Sequence, residues 1–192
     1  MAIINGTNSD DNLFGVYAVD TINGLGGRDE ITGAYDANGG DDDDIISDVY
    51  NIADGGAGND TINNAFFAYG GDGNDTITNS WYGYGGLGDD NIQTISYAEG
   101  GEGNDIISVS DSFGSGSGGL GNDTVSAGYA YGDDGSDTVY GVYYGYGGAG
   151  NDYVGVSDSS GSAYGDDGND TIQSNGTAYG GNGNDNIQYS AY

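Results

Sequence analysis

The chain has 192 residues and a formal net charge of −30, because 31 acidic residues are balanced by a single basic residue, Arg28. It contains no cysteine and no histidine, which excludes disulfides, thiolate catalysis, Ser–His nucleophilic pairs and Cys/His zinc sites. The absence of clustered Lys and Arg excludes a nucleic acid partner, and we expect no enzymatic activity. With 42 glycines, the chain is poor material for a conventional globular core.

A glycine-rich motif recurs twelve times along the chain, and the copy at residues 70–77 is Gly-Gly-Asp-Gly-Asn-Asp-Thr-Ile. The first position is always glycine, the sixth is always aspartate and the eighth is always aliphatic. A disordered glycine-rich segment would not keep an aliphatic residue two places after every aspartate, so the phase indicates a solenoid. The sixth-position aspartates are Asp11, Asp29, Asp44, Asp60, Asp75, Asp90, Asp105, Asp123, Asp137, Asp152, Asp170 and Asp185.

Successive motif aspartates are 14 to 18 residues apart, a spacing that suits one coil per motif. We predict two short strands per coil, one at motif positions seven to nine and one in the three residues before the next motif, such as residues 82–84. The aliphatic residue points inward and faces a small residue such as Ala68, because side chains alternate along a strand. The sequence therefore predicts an all-β, parallel β-roll of about twelve two-strand coils in a single domain over residues 1–192. The longest intervals, after Asp11, Asp105 and Asp152, predict longer turns on the side away from the motif.

The pattern Gly-Gly-x-Gly-x-Asp-x-aliphatic-x resembles the calcium-binding nonapeptide of RTX, or haemolysin-type, repeat proteins, and residues 100–107 are a close copy of it. The resemblance extends from Gly6 to the end of the chain. It implies a parallel β-roll with Ca²⁺ between successive turns, held by the aspartates of both turns and by carbonyl groups around the second and fourth positions. Carried onto this chain, the implied metal ligands are the twelve aspartates above and Gly56, Gly58, Gly71, Gly73, Gly86, Gly88, Gly101, Gly103, Gly119, Gly121, Gly148, Gly150, Gly181 and Gly183.

Elementary chemistry agrees with this implication, since Ca²⁺ takes six to eight hard oxygen ligands and two stacked glycine turns offer carbonyls and carboxylates. One ion in each gap between coils gives about eleven ions, which would reduce the net charge to roughly −8. We expect the ion-free chain to be largely unfolded, and we expect the ions along one edge only, because the motif falls once per coil. For scattered acids such as Asp36, Asp48 and Glu99, salt-adapted surface charge is the favoured interpretation.

Aromatic residues occupy the outward positions of the second strand, and we call this surface the tyrosine face. Its members are Phe67, Tyr69, Tyr82, Tyr84, Tyr97, Tyr129, Tyr131, Tyr144, Tyr146, Tyr164 and Tyr179. Such a flat ladder could dock another roll laterally, bind a polysaccharide or order water against ice, or its rings could simply stack to stiffen the sheet. Threonines on the first strand, such as Thr61 and Thr76, are interrupted by Asn91 and Ile106, so no regular ice-matching array is evident.

These observations predict a secreted calcium-binding structural protein whose copies stack end to end, with residues 3–5 beside residues 189–192, into an extracellular filament or matrix. The alternatives are an ice-binding, carbohydrate-binding or adhesin module and the calcium-dependent secretion module of a larger exoprotein. The RTX resemblance implies bacterial type I secretion, which fits the absence of an amino-terminal signal sequence. No apolar stretch is long enough to span a membrane.

Overall fold

The computed structural model describes residues 1–189, and these residues form strands and turns with no helix. The strands pair in parallel and coil as a β-solenoid of about twelve turns, which confirms the predicted all-β parallel roll. The chain divides into two compact units, Met1–Ile95 and Ser96–Tyr192, and the prediction of a single domain stays a prediction. Within the described residues, no helix is long and apolar enough to cross a membrane.

The first unit contains eight complete strands and the beginning of a ninth, in which the boundary between the units falls. They are β1 (Ile3–Asn5), β2 (Asn12–Phe14), β3 (Thr21–Gly26), β4 (Glu30–Thr32), β5 (Asp36–Asp41), β6 (Ile45–Ala57), β7 (Thr61–Asp72), β8 (Thr76–Leu87) and β9 (Asn91–Glu102). Equivalent motif positions lie side by side: Ile62 of β7 is opposite Ile77 of β8, and Gly71 is opposite Gly86.

The second unit repeats this arrangement with the end of β9 and nine further strands. They are β10 (Ile106–Val109), β11 (Ser115–Leu120), β12 (Thr124–Asp134), β13 (Thr138–Ala149), β14 (Tyr153–Val156), β15 (Ser162–Asp167), β16 (Thr171–Ser174), β17 (Thr177–Asn182) and β18 (Asn186–Tyr189). Val125 of β12 lies opposite Val139 of β13, and Tyr131 lies opposite Tyr146, so the motifs are in register here as well.

Most strands are longer than the three residues that the sequence predicts; only β1, β2 and β4 have that length among the described residues. Strands β7 and β8 have 12 residues each and include the first three motif positions, so the turn proper is confined to positions four to six. Gly71 has a φ of 113°, a value that glycine adopts at little cost, and it therefore bends the chain while backbone pairing continues. On the opposite side, Asn64 and Asn79 bend the strands with φ values of 62° and 55°.

The interior contains the predicted column of aliphatic residues facing a column of small residues. Ile62, Ile77 and Ala68 are fully buried in the first unit, as are Val139 and Ala163 in the second. The prediction of only two inward residues per coil is wrong, because a third buried column lies at the turn opposite the motif. Its members are Ala34, Val49, Ala65, Ser80, Val109, Ala127, Val156 and Ser174.

Three members of the third column follow from the backbone bend at the opposite turn. Asp48, Asn64 and Asn79 each adopt positive φ, which turns the next side chain, Val49, Ala65 or Ser80, toward the interior. Asn and Asp tolerate this conformation better than other residues with a side chain. An Asn or Asp before the inward residue is the sequence signal for these three members. Other members lie two places after a buried Ile or Val and point inward by ordinary side-chain alternation: Val109, Ala127, Val156 and Ser174.

The long intervals form longer turns on the side away from the motif, as predicted. These turns, residues 15–20, 110–114 and 157–161, connect β2 to β3, β10 to β11 and β14 to β15. Backbone bonds such as that from the Gly114 N–H to the Asp111 carbonyl, 2.8 Å long, close them. Residues 3–5 pair in parallel with residues 21–23; the predicted contact with residues 190–192 lies outside the described part of the chain.

Adjacent isoleucines in β10 test the core assignment, because Ile107 is 1% exposed and Ile106 is 57% exposed. Ile107→Ala should lower the free energy of unfolding by about 2–5 kcal/mol, since it removes buried methyl groups and leaves a cavity. Ile106→Ala is the matched control and should change it by about 0.5 kcal/mol or less. Urea denaturation at a fixed calcium concentration measures both, and equal losses would contradict the inward assignment.

Candidate functional site

The motif aspartates form a buried column on the inner side of the glycine turns. Ten of them are between 1% and 3% exposed, and Asp11 and Asp185 are half-buried. In the first unit the buried members are Asp29, Asp44, Asp60, Asp75 and Asp90, and in the second they are Asp105, Asp123, Asp137, Asp152 and Asp170. The structure thus brings together within each unit the aspartates that the sequence singled out, while their role as metal ligands stays a prediction.

In ten of the twelve motif aspartates, one carboxylate oxygen bonds directly to the preceding coil. The Asp60 N–H donates to Asp75 Oδ1 at 2.7 Å, and the Asp137 N–H donates to Asp152 Oδ1 at 2.8 Å. The same bond recurs between neighbouring motif aspartates throughout each unit, at 2.7–3.1 Å. These side-chain bonds fasten one coil to the next, a role that the sequence interpretation had assigned only to ions.

The other carboxylate oxygen, Oδ2, is buried without a hydrogen-bond partner at seven of these positions. They are Asp29, Asp44, Asp60, Asp75, Asp137, Asp152 and Asp170. Each Oδ2 lies against the first glycine of its own turn: a Cβ on Gly70 would clash with Asp75 Oδ2 and stand 2.6 Å from the Gly85 carbonyl oxygen of the next coil. Asp75 Oδ2 and the Gly85 carbonyl oxygen therefore both border the position of that Cβ, and a buried carboxylate oxygen without a hydrogen-bond donor costs free energy unless a positive charge or a proton is supplied.

The first motif copy shows what a donor does at this position. Thr7 replaces the second glycine there, and its N–H and Oγ1 both donate to Asp11 Oδ2, at 2.6 and 2.9 Å. Copies with glycine at the second position have no such hydroxyl. Asp29, Asp137 and Asp170 also have an unpartnered Oδ2, although Leu25, Asp133 and Asp166 stand at the second position of their copies, so what these copies share is the absence of the Thr7 hydroxyl.

Burial makes the ionised form of these carboxyl groups costly in the ion-free protein. It raises the pKa of Asp44 from the ordinary 3.8 to about 7 and the pKa of Asp60, Asp75, Asp137 and Asp152 to about 6. The hydrogen bond from the amide of the preceding coil to Oδ1, which we call the rung bond, opposes this rise in pKa, and nearby carboxylates add to it. The pKa of Asp29 and that of Asp170 rise for the same reason.

The glycines predicted as carbonyl ligands all adopt positive φ. The second-position residues Gly56, Gly71, Gly86, Gly101, Gly119, Gly148 and Gly181 have φ of 106–120°, and the fourth-position residues Gly58, Gly73, Gly88, Gly103, Gly121, Gly150 and Gly183 have φ of 115–151°. Their carbonyls point toward the next coil, since a Cβ on Gly71 would clash with the Gly56 carbonyl oxygen and one on Gly73 with that of Gly58. Columns of carbonyl oxygens therefore line the motif edge within each unit.

These carboxylate and carbonyl oxygens are suitable ligands for a hard divalent cation such as Ca²⁺. Among residues 1–189, no three His, Cys, Asp or Glu side chains converge on one point, so backbone carbonyls would have to complete any coordination sphere. All the available donors are oxygens, which Ca²⁺ and Mg²⁺ prefer and which transition metals do not require. The unpartnered Oδ2 atoms agree with the predicted site class.

A second hydrogen-bonded ladder, at motif position five, was missed by the sequence interpretation. The Asn74 N–H donates to Asn59 Oδ1 at 2.9 Å, and in the second unit the Asn169 N–H donates to Asn151 Oδ1 at 2.9 Å. In these bonds the later coil donates its N–H to the earlier coil, whereas in the aspartate bonds the earlier coil donates to the later one. The sequence contains a signal for this ladder, because position five is Asn, Asp or Ser in every copy except the one with Arg28.

The rings of the tyrosine face stack along each unit. Tyr69 lies 4.9 Å from Tyr84 in the first unit, with an angle of 10° between the ring planes. In the second unit, four rings stack in sequence at 4.7–5.0 Å, those of Tyr131, Tyr146, Tyr164 and Tyr179. Stacking that stiffens the sheet is therefore present, whereas docking through this face stays a prediction.

No protein-family model matches this chain, and no curated protein is significantly similar to it. The resemblance to RTX repeats therefore rests on the motif residues.

Gly70 tests the close packing of the carboxylate. Gly70→Ala should destabilise the fold by about 1–3 kcal/mol, because the added Cβ displaces the Asp75 carboxylate and its rung bond. Gly26→Ala is the control, since its Cβ would meet only Asp41 Cβ, at 3.8 Å, and it should change stability by about 0.5 kcal/mol or less. Thermal unfolding of both variants at one calcium concentration makes the comparison; equal effects would show that the first glycine is not required for the carboxylate.

The raised pKa values predict an unusual pH response of the ion-free protein. Folded Asp44, Asp60 and Asp75 bind protons more tightly than their unfolded forms, so stability should increase as the pH falls from about 8 to about 5. Circular dichroism in excess chelator measures the trend as the amount of β-structure at each pH, and a loss of β-structure on acidification would contradict it. In saturating calcium the trend should reverse, because protons compete with the cation.

Proposed function

We propose that this chain is a secreted, calcium-binding structural protein whose β-roll folds when Ca²⁺ binds along the motif edge. The observation that supports this most strongly is the column of buried, unpartnered Asp Oδ2 atoms beside glycine carbonyls, such as Asp75 Oδ2 near Gly85. A bound Ca²⁺ would supply the positive charge that these oxygens lack. Its proposed holders are the motif aspartates and the second- and fourth-position glycine carbonyls, at about one ion per gap between coils.

The two oxygens of each motif carboxylate would have different roles in folding. Oδ1 of each aspartate holds the amide of the preceding coil and sets the register, as in the bond from Asp60 to Asp75. Oδ2 and the carbonyl columns remain as uncompensated negative charge and dipoles, on a chain that already has a net charge of −30. Folding would therefore depend on the calcium concentration, since the thin interior of Ile, Val, Ala and Gly offers little burial to offset the repulsion.

The same dependence supports secretion before folding, through a bacterial type I route. A chain that is acidic, rich in glycine and without cysteine would stay extended where calcium is scarce and would fold outside the cell, where calcium is abundant. We propose an extracellular location and no enzymatic activity. The roles of ice-binding module and of secretion module of a larger exoprotein stay alternatives.

Self-association is supported by core residues that are incompletely covered. Ile187 is 39% exposed, although its neighbour in the same column, Ile172, is fully buried. Ile4 is half-buried, whereas Ile22, beside it, is fully buried. A coil of a second copy, stacked in register, would cover such residues and continue the aspartate column into a filament or matrix.

Calcium titration tests the central proposal. The chain should be largely unfolded in chelator and should gain β-structure cooperatively as calcium is added, as followed by circular dichroism. Asp75→Asn should raise the calcium concentration at the folding midpoint and lower the number of ions bound, because it removes one buried negative charge. Asp72→Asn removes the same charge from an exposed position and should change neither quantity. Identical β-structure in chelator and in calcium would overturn the proposal.

Electron microscopy with and without calcium tests the assembly. Filaments or extended stacks should form in calcium only, and Ile187→Asp should shorten them because it places a charge in the apolar column. Gln188→Asp adds the same charge at the adjacent exposed position and should leave the length unchanged. Monodisperse monomers at high protein concentration in calcium would contradict end-to-end stacking without affecting the calcium proposal.

A further inference from the structure

A cleft of about 400 Å³ opens on the first unit, at the turns opposite the motif. Four aromatic and two amide side chains line it, those of Tyr17, Tyr50, Phe66, Trp81, Asn51 and Asn64. Buried Val49 and Ala65 complete the lining. The cleft lies away from the glycine turns and has no part in the calcium proposal.

One extra residue in β6 creates this cleft. Val49 lies opposite Ala65, but Ile52 lies opposite Phe67, so two residues of β6 match one residue of β7. The insertion separates Tyr50 from Phe66, whereas Phe67 and Tyr82 in the following coils remain stacked at 5.0 Å. A regular interval at this point would have continued the ladder of rings and closed the gap.

Each aromatic side of the cleft is a pair of rings in contact. Tyr17, from the long turn at residues 15–20, meets Tyr50 edge-on at 5.6 Å, with an angle of 86° between the rings. Phe66 lies 6.4 Å from Trp81. All four side chains are between 41% and 54% exposed, which is a large apolar surface to leave in water.

The two amides are held in position by acidic residues outside the lining. Asn64 Nδ2 donates to Asp48 Oδ1 at 2.7 Å, and Asn51 Nδ2 donates to Asp36 Oδ1 at 2.8 Å. These bonds fix the side-chain orientation of both asparagines. Each amide retains the capacity for further hydrogen bonds, because an amide has two N–H donors and a carbonyl acceptor.

We propose that this cleft binds a neutral glycan, with pyranose rings against the aromatic pairs and hydroxyl groups on Asn51 and Asn64. The lining has no charged side chain, and the net charge of −30 repels anionic ligands. A ligand that matches both rings and fixed amides needs an apolar face and a polar rim, which a pyranose has. The volume falls within the range of about 300–1,000 Å³ that is typical of small-ligand sites.

Trp81 makes the proposal directly measurable, since it is the only tryptophan in the chain and lies in the cleft. The calcium-saturated protein is titrated with hexasaccharides of β-1,4-linked glucose, β-1,4-linked N-acetylglucosamine and α-1,4-linked glucose, while tryptophan fluorescence is recorded. At least one sugar should give a saturable spectral change. Tyr50→Ala and Phe66→Ala should each weaken binding about tenfold or more, because each removes a stacking surface.

Phe113→Ala and Tyr179→Ala are the matched controls, because both remove exposed rings of the second unit that are not in the cleft, and neither should alter binding. Circular dichroism of each variant in calcium verifies folding, and Tyr50→Leu and Phe66→Leu replace any alanine variant that is misfolded. No saturable change with any of the three sugars overturns the proposal, as does binding that the cleft variants leave intact. A spectral change that depends on protein concentration without sugar, and that Phe66→Ala abolishes, would assign the cleft to a second copy and equally overturn it.

Discussion

A buried carboxylate that accepts the backbone N–H of the preceding coil is the contact on which this structure depends. Asp75 Oδ1 bonds to the Asp60 amide, and the same bond recurs along each unit. The bond sets the register of the coils, since a slip of one residue would separate every carboxylate from its amide. It also explains the first motif glycine, because a side chain at Gly70 would occupy the space of the carboxylate. The motif residues are therefore required for the packing of the coils, as well as for any metal site.

The same contact leaves the structure with an electrostatic problem. Using one oxygen for the rung buries the other against carbonyl groups, and burial raises the pKa of Asp44 to about 7. The negative charge of the unpartnered Oδ2 atoms can be neutralised either by protons, at low pH, or by cations. A chain of net charge −30 with one basic residue has no internal source of positive charge, so stability becomes linked to the ions outside. In the proposed function this linkage is the means by which folding is delayed until secretion.

The two turns of each coil have different structural roles. The motif turn is uniform, because its glycine conformations, aspartate rungs and position-five ladder must match from coil to coil. The opposite turn varies in length and contains no such ladder of carboxylates, so it tolerates the long turns at residues 110–114 and 157–161. An extra residue at Asn51 separates two aromatic rings and forms the cleft that we assign to a glycan. Regularity at one edge thus supplies the scaffold, and irregularity at the other supplies the cleft of the proposed glycan site.

The sequence by itself determined the parallel solenoid, the number of coils, the inward aliphatic column and the aspartates of the motif edge. Each of these depends on a local rule, namely glycine conformations, side-chain alternation and a repeat kept in phase. Only the tertiary structure decided that Asp75 bonds the Asp60 amide, that Val49 and Ala65 point inward, and that Tyr50 and Phe66 stand apart. The carboxylate bond and the separation of the rings arise between residues 15 or 16 positions apart in the chain, and the inward direction of Val49 and Ala65 depends on the backbone bend at the residue before each of them. A linear pattern contains the residue types for such contacts, but the direction of a side chain after a bend and the pairing of a carboxylate with a neighbouring coil exist only once the coils are stacked.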